Sequence, residues 1–312
     1  MKRVAIVTIN YNSHADTVAL LKSLLPQLTE KDAVFVLDNA SETKDFAALK
    51  SFADDNSDKV DLIKSEKNLG FSAGNNFVYE KVCCEFEFVL FANNDTIAYE
   101  NLLENLLVCA KKHRTGALTG AIYNFPQTEK LWNAGGKLTW LDRKYYSQKK
   151  VERESLRGKK YIKASFITGC LMLLDCKKAQ KILQHGKLFD ERFFFGQEDF
   201  NLCVRLKRAK VEVGTALEAV LYHKVSATVD KAAPSKLNKN ILHFTMRVVD
   251  RRNLCGGFNF ALWYAVYMVL LRVKLRVGGY SCKDVKKILR GVRKYSKGNH
   301  VDKKVFEKIL RG

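Results

Sequence analysis

The chain has 312 residues, of which 47 % are hydrophobic and 11 % aromatic, and its formal net charge is +21. This length fits one large domain or a domain with an appendage, and the hydrophobic content excludes global disorder. Residues 1–100 carry a net charge of −6, residues 101–228 of +12 and residues 229–312 of +15. The basic final part predicts an anionic partner: a membrane surface, a nucleic acid or an acidic polymer.

Strand and helix patterns alternate over the first hundred residues. Short apolar runs rich in β-branched residues predict strands, and apolar residues at helical spacing predict helices between them. The predicted strands are Val4–Ile9, Ala33–Leu37, Val60–Ile63 and Phe86–Ala92, and the predicted helices are 15–28, 42–54 and Gly70–Cys83. Because the strands are apolar throughout, we expect an α/β fold whose mostly parallel central sheet is flanked by helices.

Polar residues follow each of these four strands. They lie in the stretches Thr8–Asn10, Asp38–Asn39, Asn68–Asn76 and Asn93–Thr96. Any one of them is an ordinary turn, but four together predict a ligand site at the carboxyl edge of the sheet. The chain has neither a G-x-G-x-x-G motif after the first strand nor a P-loop, so Asn and Asp side chains, with or without a metal, would hold the ligand.

The middle of the chain is less regular and more basic. The first predicted elements there are a helix at Asn101–Lys112, an apolar run at Ala117–Ile122 and a loop-rich or hairpin insertion at Gln127–Lys163 that contains Trp132. A buried strand or strand–turn follows at Phe166–Leu174. The last predicted elements are a helix that begins at Glu198-Asp199 with Arg205 facing outward, and strands at Val211–Val213 and Ala219–Tyr222.

Two acidic positions are candidates for chemistry. Asp95 follows an apolar strand and is a candidate ligand for Mg²⁺ or Mn²⁺, with His223 as a second ligand, although a lone His is more often structural. Asp199 and Glu198 open a helix, where the helix dipole favours the charged carboxylate that a general base requires. The alternative for this pair is an ordinary helix cap.

The tail combines an apolar run with basic amphipathic helices. Residues 258–271 are too few to span a bilayer, so they predict a helix in the membrane interface or one packed on the core. Ser281-x-x-Asp284 predicts a capping box that starts a basic helix. Deletion of 258–312 is therefore expected to release the protein from membranes.

The eight cysteines show neither a C-x-x-C pair nor a Cys/His cluster, which predicts buried thiols in a reducing cytosol. Lys2-Arg3 precedes only six apolar residues, too few for a signal peptide, and no run of about 18 apolar residues predicts a spanning helix.

Read together, the motifs resemble family 2 glycosyltransferases, in particular the rhamnosyltransferase-like branch that builds bacterial surface polysaccharides. The resemblance covers about 4–226 and rests on the order of Thr8-Ile-Asn10-Tyr-Asn-Ser13, Val36-Leu-Asp38-Asn-Ala-Ser41, Asn68-Leu-Gly-Phe-Ser-Ala-Gly-Asn75-Asn76, Asn93-Asn-Asp95-Thr96, Gly196-Gln-Glu198-Asp199 and His223. It implies the GT-A (Rossmann-like) fold and inverting transfer from a nucleoside-diphosphate sugar to a glycan or lipid-linked glycan.

The resemblance also implies roles for individual residues. Thr8, Asn10, Asp38 and Asn68 would hold the nucleoside, in a donor site that also includes Asn39, Gly74, Asn75, Asn93, Asn94 and Asp95. Asp95 and His223 would ligate the metal, and Asp199, or Glu198 as the less favoured choice, would be the base. Asn93 stands where many members have Asp, which removes one negative charge and lowers the expected metal affinity.

The expected organisation is a catalytic domain at 1–228, with a donor-binding half at about 1–100 and an acceptor half at about 101–228. Residues 229–312 would form a basic helical extension that binds an anionic membrane on the cytoplasmic face of the inner membrane, with a homodimer left open. Two alternatives remain: an inactive family member that acts as an assembly partner, and a nucleic-acid-binding protein. The second lacks any recognition motif.

Overall fold

The computed structural model describes residues 1–224 and 235–312. The strands are β1 (Lys2–Asn10), β2 (Asp32–Asp38), β3 (Val60–Lys64), β4 (Phe86–Ala92), β5 (Thr96–Ala98), β6 (Ala117–Asn124), β7 (Leu131–Asn133), β8 (Gly136–Leu138), β9 (Arg143–Tyr145), β10 (Tyr161–Ala164), β11 (Leu171–Asp175) and β12 (Val213–His223). The helices are α1 (His14–Leu24), α2 (Thr43–Asp54), α3 (Gly70–Val82), α4 (Leu102–His113), α5 (Gln148–Leu156), α6 (Cys176–Gln180), α7 (Glu198–Arg208), α8 (Lys236–Leu254), α9 (Gly257–Val277), α10 (Cys282–Tyr295) and α11 (Lys303–Arg311).

Most strands belong to one mixed sheet with the order β10-β12-β6-β11-β4-β1-β2-β3, to which β5 adds beside β12 and β7 beside β6. The strands β3, β2, β1 and β4 are parallel, which confirms the arrangement predicted for the first hundred residues. Beyond them, β11 is antiparallel to both β4 and β6, and β12 is parallel to β6. The carboxyl ends of β1, β2 and β4 therefore lie at one edge of the sheet.

Helices cover both faces of this sheet. Val4 and Ile6 of β1 are fully buried in a cluster with Leu20 of α1. On the opposite face, the ring of Phe91 in β4 lies 6.4 Å from that of Tyr79 in α3. Burial of each such side chain contributes about 1.5–3 kcal/mol to folding, so the all-apolar strands are accounted for by a sheet with two buried faces.

Several predicted boundaries are corrected by the structure. The helix expected at 15–28 ends at Leu24, because Pro26 falls in a 3₁₀ turn over Leu25–Gln27. The two late strands are a single strand, β12, whose pairing with β6 shifts in register between Ala216 and Val220. This register shift interrupts the apolar pattern of β12, which is why two separate strands were predicted there.

The insertion predicted at Gln127–Lys163 as either loop-rich or a hairpin contains a hairpin. The strands β8 and β9 pair as a separate antiparallel hairpin, and α5 follows it. Arg205 of α7 was predicted to face outward, and this prediction is wrong. Its guanidinium is partly buried and donates hydrogen bonds to the backbone carbonyls of Ile182 and Leu188.

The C-terminal part of the chain is helical. Helix α8 packs against α9, α10 and α11. The predicted cap of α10 is present, since the Ser281 hydroxyl accepts a hydrogen bond from the Asp284 N–H at 3.1 Å and donates to its carboxylate at 2.7 Å. Within residues 1–224 and 235–312, no helix is long and apolar enough to cross a bilayer.

The described residues form two units. The first comprises residues 1–190 and 202–224, and the second comprises residues 191–201 and 235–312. The segment 191–201, which carries Glu198 and Asp199, therefore groups with the C-terminal helices. The predicted boundary at 228/229, and the change of sequence character near Pro234, lie outside the described residues.

Candidate functional site

A hydrogen-bond network joins the polar residues at the carboxyl edge of the first unit. The Asn94 amide donates to the Thr17 hydroxyl at 3.0 Å, and that hydroxyl donates to the Asn10 side-chain oxygen at 2.8 Å. The Asn10 amide in turn donates to the carboxylates of Asp38 and Asp45, both at 2.9 Å. The predicted residues Asn10 and Asp38 are thus bonded directly, and Thr17 links Asn94 to Asn10. Thr17 and Asp45 were not among the predicted site residues.

Asp45, at the start of α2, accepts hydrogen bonds from both Asn10 and His14. Burial alone would raise the pKa of its carboxyl group, but hydrogen bonds from the backbone N–H of His14 and from the Asn10 and His14 side chains outweigh burial and lower the pKa. Asp45 is therefore ionised near neutral pH, and its charge fixes the orientation of the Asn10 amide.

A second network connects the ends of β2 and β3. The Asn39 amide donates to the Asn68 side-chain oxygen at 3.2 Å, and the Asn39 oxygen accepts from the Leu69 N–H at 2.8 Å. Asn68 also accepts from the N–H of Gly70, which has a φ of +78° at the start of α3. Glycine is suited to this left-handed position, so the turn before α3 is shaped by both its asparagines and its glycine.

Two of the predicted donor-site residues make contacts that are internal to the protein. A Cβ at Gly74 would lie 2.9 Å from Ile9 Cδ1 and 3.1 Å from Leu37 Cδ2, so this glycine lets α3 approach the sheet closely. The Asn75 amide donates to the Phe71 carbonyl at 3.0 Å and its side chain is buried. The contacts of both residues thus serve the packing of α3.

The other residues predicted for the donor site differ in their exposure to solvent. Thr8 is 1 % exposed, and within residues 1–224 and 235–312 its hydroxyl has no hydrogen-bond partner. Asn93, Asn94, Asp95 and Asn68 are partly exposed. The polar groups open to a ligand at this edge therefore come mainly from the turns that follow β3 and β4.

Strand pairing brings Asp95 and His223 together although 128 positions separate them. The short strand β5 directly follows Asp95 and pairs antiparallel with the end of β12, with Thr96 opposite His223. As a result, His223 Nε2 lies 3.3 Å from Asp95 Oδ1. The His223 ring is 7 % exposed, and its Nδ1 has no hydrogen-bond partner among the described residues.

The spacing of this pair is compatible with two adjacent ligands of one divalent cation. Two adjacent ligands of an octahedral ion lie roughly 3 Å apart, because each is about 2.1 Å from the ion, and the observed 3.3 Å agrees with this spacing. In residues 1–224 and 235–312 there is no group of three or more His, Cys, Asp and Glu side chains suited to a metal. A cation at Asp95 and His223 would need its other ligands from water or from substrate oxygens.

Trp132, which was predicted only as part of the insertion, lies beside His223. It lies on β7 and is 37 % exposed, and its ring meets the His223 ring edge-on at 4.4 Å between centroids. A tryptophan in a polar, basic stretch was the available signal. Its place beside His223 follows from the pairing of β7 with β6, which pairs in turn with β12.

Glu198 and Asp199 belong to the second unit, at the first turn of α7. Glu198 is buried, whereas Asp199 is partly exposed and its Oδ1 accepts a hydrogen bond from the Phe200 N–H at 2.6 Å. The preceding Gly196 and Gln197 have φ values of +92° and +73°. The helix start thus places two carboxylates at the positive end of the helix dipole, as predicted.

The strand order and the flanking helices define the GT-A fold of glycosyltransferases. Residues 5–183, more than half of the chain, match the family model described as Glycosyl transferase family 2. The chain belongs to this family. A search of curated proteins finds no match.

Solved structures of glycosyltransferases share the fold at low sequence identity. GalNAc-T7 with UDP, GalNAc and Mn²⁺ has a TM-score of 0.65 and 12 % identity over 99 % of this chain, which spans 56 % of GalNAc-T7. The mannosyltransferase PcManGT from Pyrobaculum calidifontis, in complex with GDP-Man and Mn²⁺, has a TM-score of 0.60 and 13 % identity over 95 % of this chain and 87 % of its own. For S. aureus TarS 1–349 with UDP-GlcNAc the values are 0.58 and 12 %, over 99 % and 90 %.

Proposed function

We propose that this protein is an inverting glycosyltransferase that moves a sugar from a nucleoside-diphosphate sugar to a hydroxyl of a glycan or lipid-linked glycan. The observation that carries the proposal is the Asp95–His223 pair, 3.3 Å apart beside the polar network at the carboxyl edge of the sheet. Ligands of α/β sheets bind at this edge. Membership of glycosyl transferase family 2 narrows the ligand to a sugar donor.

In the proposed donor site, buried and exposed residues have different tasks. Asn10 and Asp38 are fully buried and hydrogen-bonded to each other, so they would fix the shape of the nucleoside pocket from behind its surface. The hydroxyl of Thr8 has spare hydrogen-bonding capacity. Asn68 and Asn94 are partly exposed and would contact the nucleotide directly. A polar pocket held in place in this way binds its ligand with little loss of side-chain entropy.

We assign the general base to Asp199. Its carboxylate would accept the proton of the acceptor hydroxyl while the hydroxyl oxygen forms a bond to the anomeric carbon. The bond from that carbon to the diphosphate oxygen breaks on the opposite face, and the nucleoside diphosphate leaves with the electron pair. This single displacement inverts the anomeric centre. Asp199 is preferred to Glu198 because it is the more exposed of the two.

A divalent cation completes the proposed site. Asp95 and His223 would hold it, and when bound it supplies positive charge that stabilises the departing diphosphate. The mixed carboxylate and imidazole set suits Mn²⁺ somewhat better than Mg²⁺, which prefers oxygen ligands throughout. Asn93 adds no negative charge to the site. Tight binding of the cation would therefore require oxygen ligands from the substrate.

A thermal-shift screen tests the proposed donor site. Full-length protein is heated with UDP-, dTDP-, GDP- and CDP-sugars, each with and without Mn²⁺. One donor class should raise the melting temperature, and more so with Mn²⁺, because a ligand that binds only the folded state stabilises it. Failure of every nucleotide to shift the melting temperature at millimolar concentration would count against the donor site.

We also propose that the acceptor lies at an anionic membrane surface, as expected for surface-polysaccharide enzymes of the rhamnosyltransferase-like branch. Helix α9 supports this proposal because it is apolar on two faces. One face is buried and contains Trp263 and Leu271, whereas the opposite face is exposed to solvent. The exposed apolar side chains follow each other at helical spacing: Phe258, Leu262, Val269, Leu270, Val273 and Val277.

Basic residues frame this exposed face. Arg272, Lys274 and Arg276 are exposed on α9 itself, and residues 229–312 carry a net charge of +15. An exposed apolar helix face with Lys and Arg beside it fits the interface of an anionic bilayer. The eight cysteines include no C-x-x-C pair and no Cys/His cluster, which supports the cytoplasmic face of the inner membrane as the proposed location. The prediction that all eight are buried is wrong, because Cys84 and Cys282 are exposed.

The membrane proposal predicts the behaviour of a surface variant. The triple change Leu262→Gln, Val269→Gln and Val273→Gln should lower binding to phosphatidylglycerol-containing vesicles about tenfold or more, because it removes the apolar contact area. Co-sedimentation measures the bound fraction. Val108→Gln, an exposed valine on α4, is the matched control and should bind like the wild type.

Two results would contradict this prediction. The triple variant could bind vesicles as well as the wild type does. Alternatively, the wild type could fail to bind vesicles and form dimers that the triple variant cannot form. The exposed apolar face of α9 would then bind a second copy of the chain.

A further inference from the structure

The segment that carries Glu198 and Asp199 is anchored at its start by Val301, which lies just before α11. Phe193 and Val301 form a parallel β-bridge. Its two backbone hydrogen bonds run from the Phe194 N–H to the Val301 carbonyl at 2.9 Å and from the Val301 N–H to the Arg192 carbonyl at 2.7 Å. A pairing over about 108 positions of sequence therefore fixes the chain six residues before Asp199.

Aromatic packing against α11 secures the same stretch. The ring of Phe306 lies 5.4 Å from that of Phe194 and 6.3 Å from that of Phe195, in edge-on arrangements. Phe306 is 8 % exposed, and Val301 is fully buried. Edge-on aromatic pairs at these distances are favourable beyond the burial of their area, so this cluster fixes the path of the chain into Gly196.

Helix α8 contacts the two residues that follow Asp199, which are Phe200 and Asn201. The Arg247 guanidinium lies 3.8 Å from the centre of the Phe200 ring, and Arg247 is 1 % exposed. The Asn201 amide donates to Asp250 at 2.8 Å, and both side chains are fully buried. The residues directly after Asp199 are therefore fixed as firmly as those before it.

Between these anchors the backbone is strained. Gly196 and Gln197 have consecutive positive φ values, and a Cβ at Gly196 would lie 2.9 Å from the Met246 methyl group of α8. A left-handed conformation at a residue other than glycine persists only where the surroundings impose it, and it is enriched at functional sites. Here the surroundings include α8.

We propose that α8 and α11 are part of the catalytic machinery, because they set the position of the Asp199 carboxylate. Phe306 and Arg247 are positioning residues for this base, an inference that rests on the proposed role of Asp199. The C-terminal region therefore has two tasks: α9 and the basic helices bind the membrane, and α8 and α11 hold the base. Deletion of 258–312 would remove Val301 and Phe306 together with α9, so the surface variant of α9 is the cleaner test of membrane binding.

The test compares Phe306→Ala, its conservative partner Phe306→Leu, and Ile288→Ala in the full chain. Ile288 is fully buried on α10, a helix that packs on α8 and α9, and controls for general loosening of the helices. Phe306→Ala should lower kcat for sugar transfer about tenfold to a hundredfold and leave the donor KM within twofold of wild type. Phe306→Leu should restore most of kcat, and Ile288→Ala should stay near wild type.

Hydrogen exchange supplies a readout that does not depend on activity. In Phe306→Ala, the amides of residues 193–201 should exchange at least about tenfold faster, because the Phe194 amide is protected by its bond to Val301. Arg247→Lys, which retains the charge, should have a smaller effect than Arg247→Met on both kcat and exchange.

Equal losses of kcat in Phe306→Ala and Ile288→Ala, or unchanged exchange of residues 193–201 in Phe306→Ala, would overturn the inference. A different result would contradict the proposed function itself. If Asp199→Asn retains full activity, the base assignment is wrong, whereas the exchange experiment still reports whether α11 holds the segment.

Discussion

Asp199→Asn is expected to lower kcat for sugar transfer by about a thousandfold while binding of the nucleoside diphosphate stays within twofold of wild type. The amide has the shape of the carboxylate but cannot accept the proton of the acceptor hydroxyl. General-base catalysis typically contributes about 10²- to 10⁴-fold, so its loss is large. Steady-state kinetics measures the transfer rate, and the thermal shift with the nucleotide measures binding.

Glu198→Gln is the matched control because it makes the same chemical change one residue earlier on the same helix turn. It should reduce kcat by less than about tenfold, through packing alone, since Glu198 is buried. The reverse pattern, with Glu198→Gln inactive and Asp199→Asn active, would move the base to Glu198. Activity retained in both variants would remove the general base from this helix.

Removal of divalent cations is expected to have the second largest effect. Excess chelator should lower the rate of transfer about a thousandfold, and added Mn²⁺ should restore it, because the leaving diphosphate then lacks its positive partner. Asp95→Asn and His223→Ala should raise the Mn²⁺ concentration needed for half-maximal rate by tenfold or more. A titration of the rate against Mn²⁺ measures both effects.

His113→Ala provides the control for this prediction. His113 ends α4 and stacks on Tyr161, with 4.1 Å between ring centroids, and it is not among the proposed metal ligands. Its Mn²⁺ dependence should match the wild type. Full activity in excess chelator would contradict the metal assignment, and Asp95 and His223 would then be a structural pair.

The local part of this architecture was predictable. The strands Val4–Ile9 and Phe86–Ala92 and the helix at Gly70–Cys83 are marked by residues close in sequence, and the structure has them within a few positions. Because parallel strands end at one edge, the meeting of the polar turns after β1, β2 and β4 followed from the same pattern. Their detailed partners did not, since Thr17 and Asp45 look like ordinary first-turn residues of helices.

The long-range part was not predictable from periodicity. The strand β5 has three residues, and nothing in so short a stretch indicates that it pairs with the end of β12. Asp95 and His223 were candidates for one metal site because each follows a predicted strand, but no local pattern indicated the strand pairing that brings them together. The pairing of Val301 with Phe193 was not predicted at all, because a single β-bridge leaves no pattern in the sequence.

The net charge of +21 is distributed in accord with the proposed division of tasks. The first hundred residues, which contain the polar edge of β1, β2 and β4, are net acidic at −6, so the basic excess does not originate at the donor site. The second unit combines basic helices, the exposed apolar face of α9 and the segment with Asp199. Membrane association and placement of the base are thus proposed for the same unit.

Slow hydrolysis of a donor sugar tests the central claim most directly, because water replaces the unknown acceptor. Full-length protein with Mn²⁺ is mixed with the donor that gives the largest thermal shift, and proton NMR follows the first sugar released before it mutarotates. The account predicts release of one nucleoside diphosphate per sugar, with the sugar appearing first as the anomer opposite to that of the donor. Release of the same anomer, or no release above the rate in buffer, would contradict it.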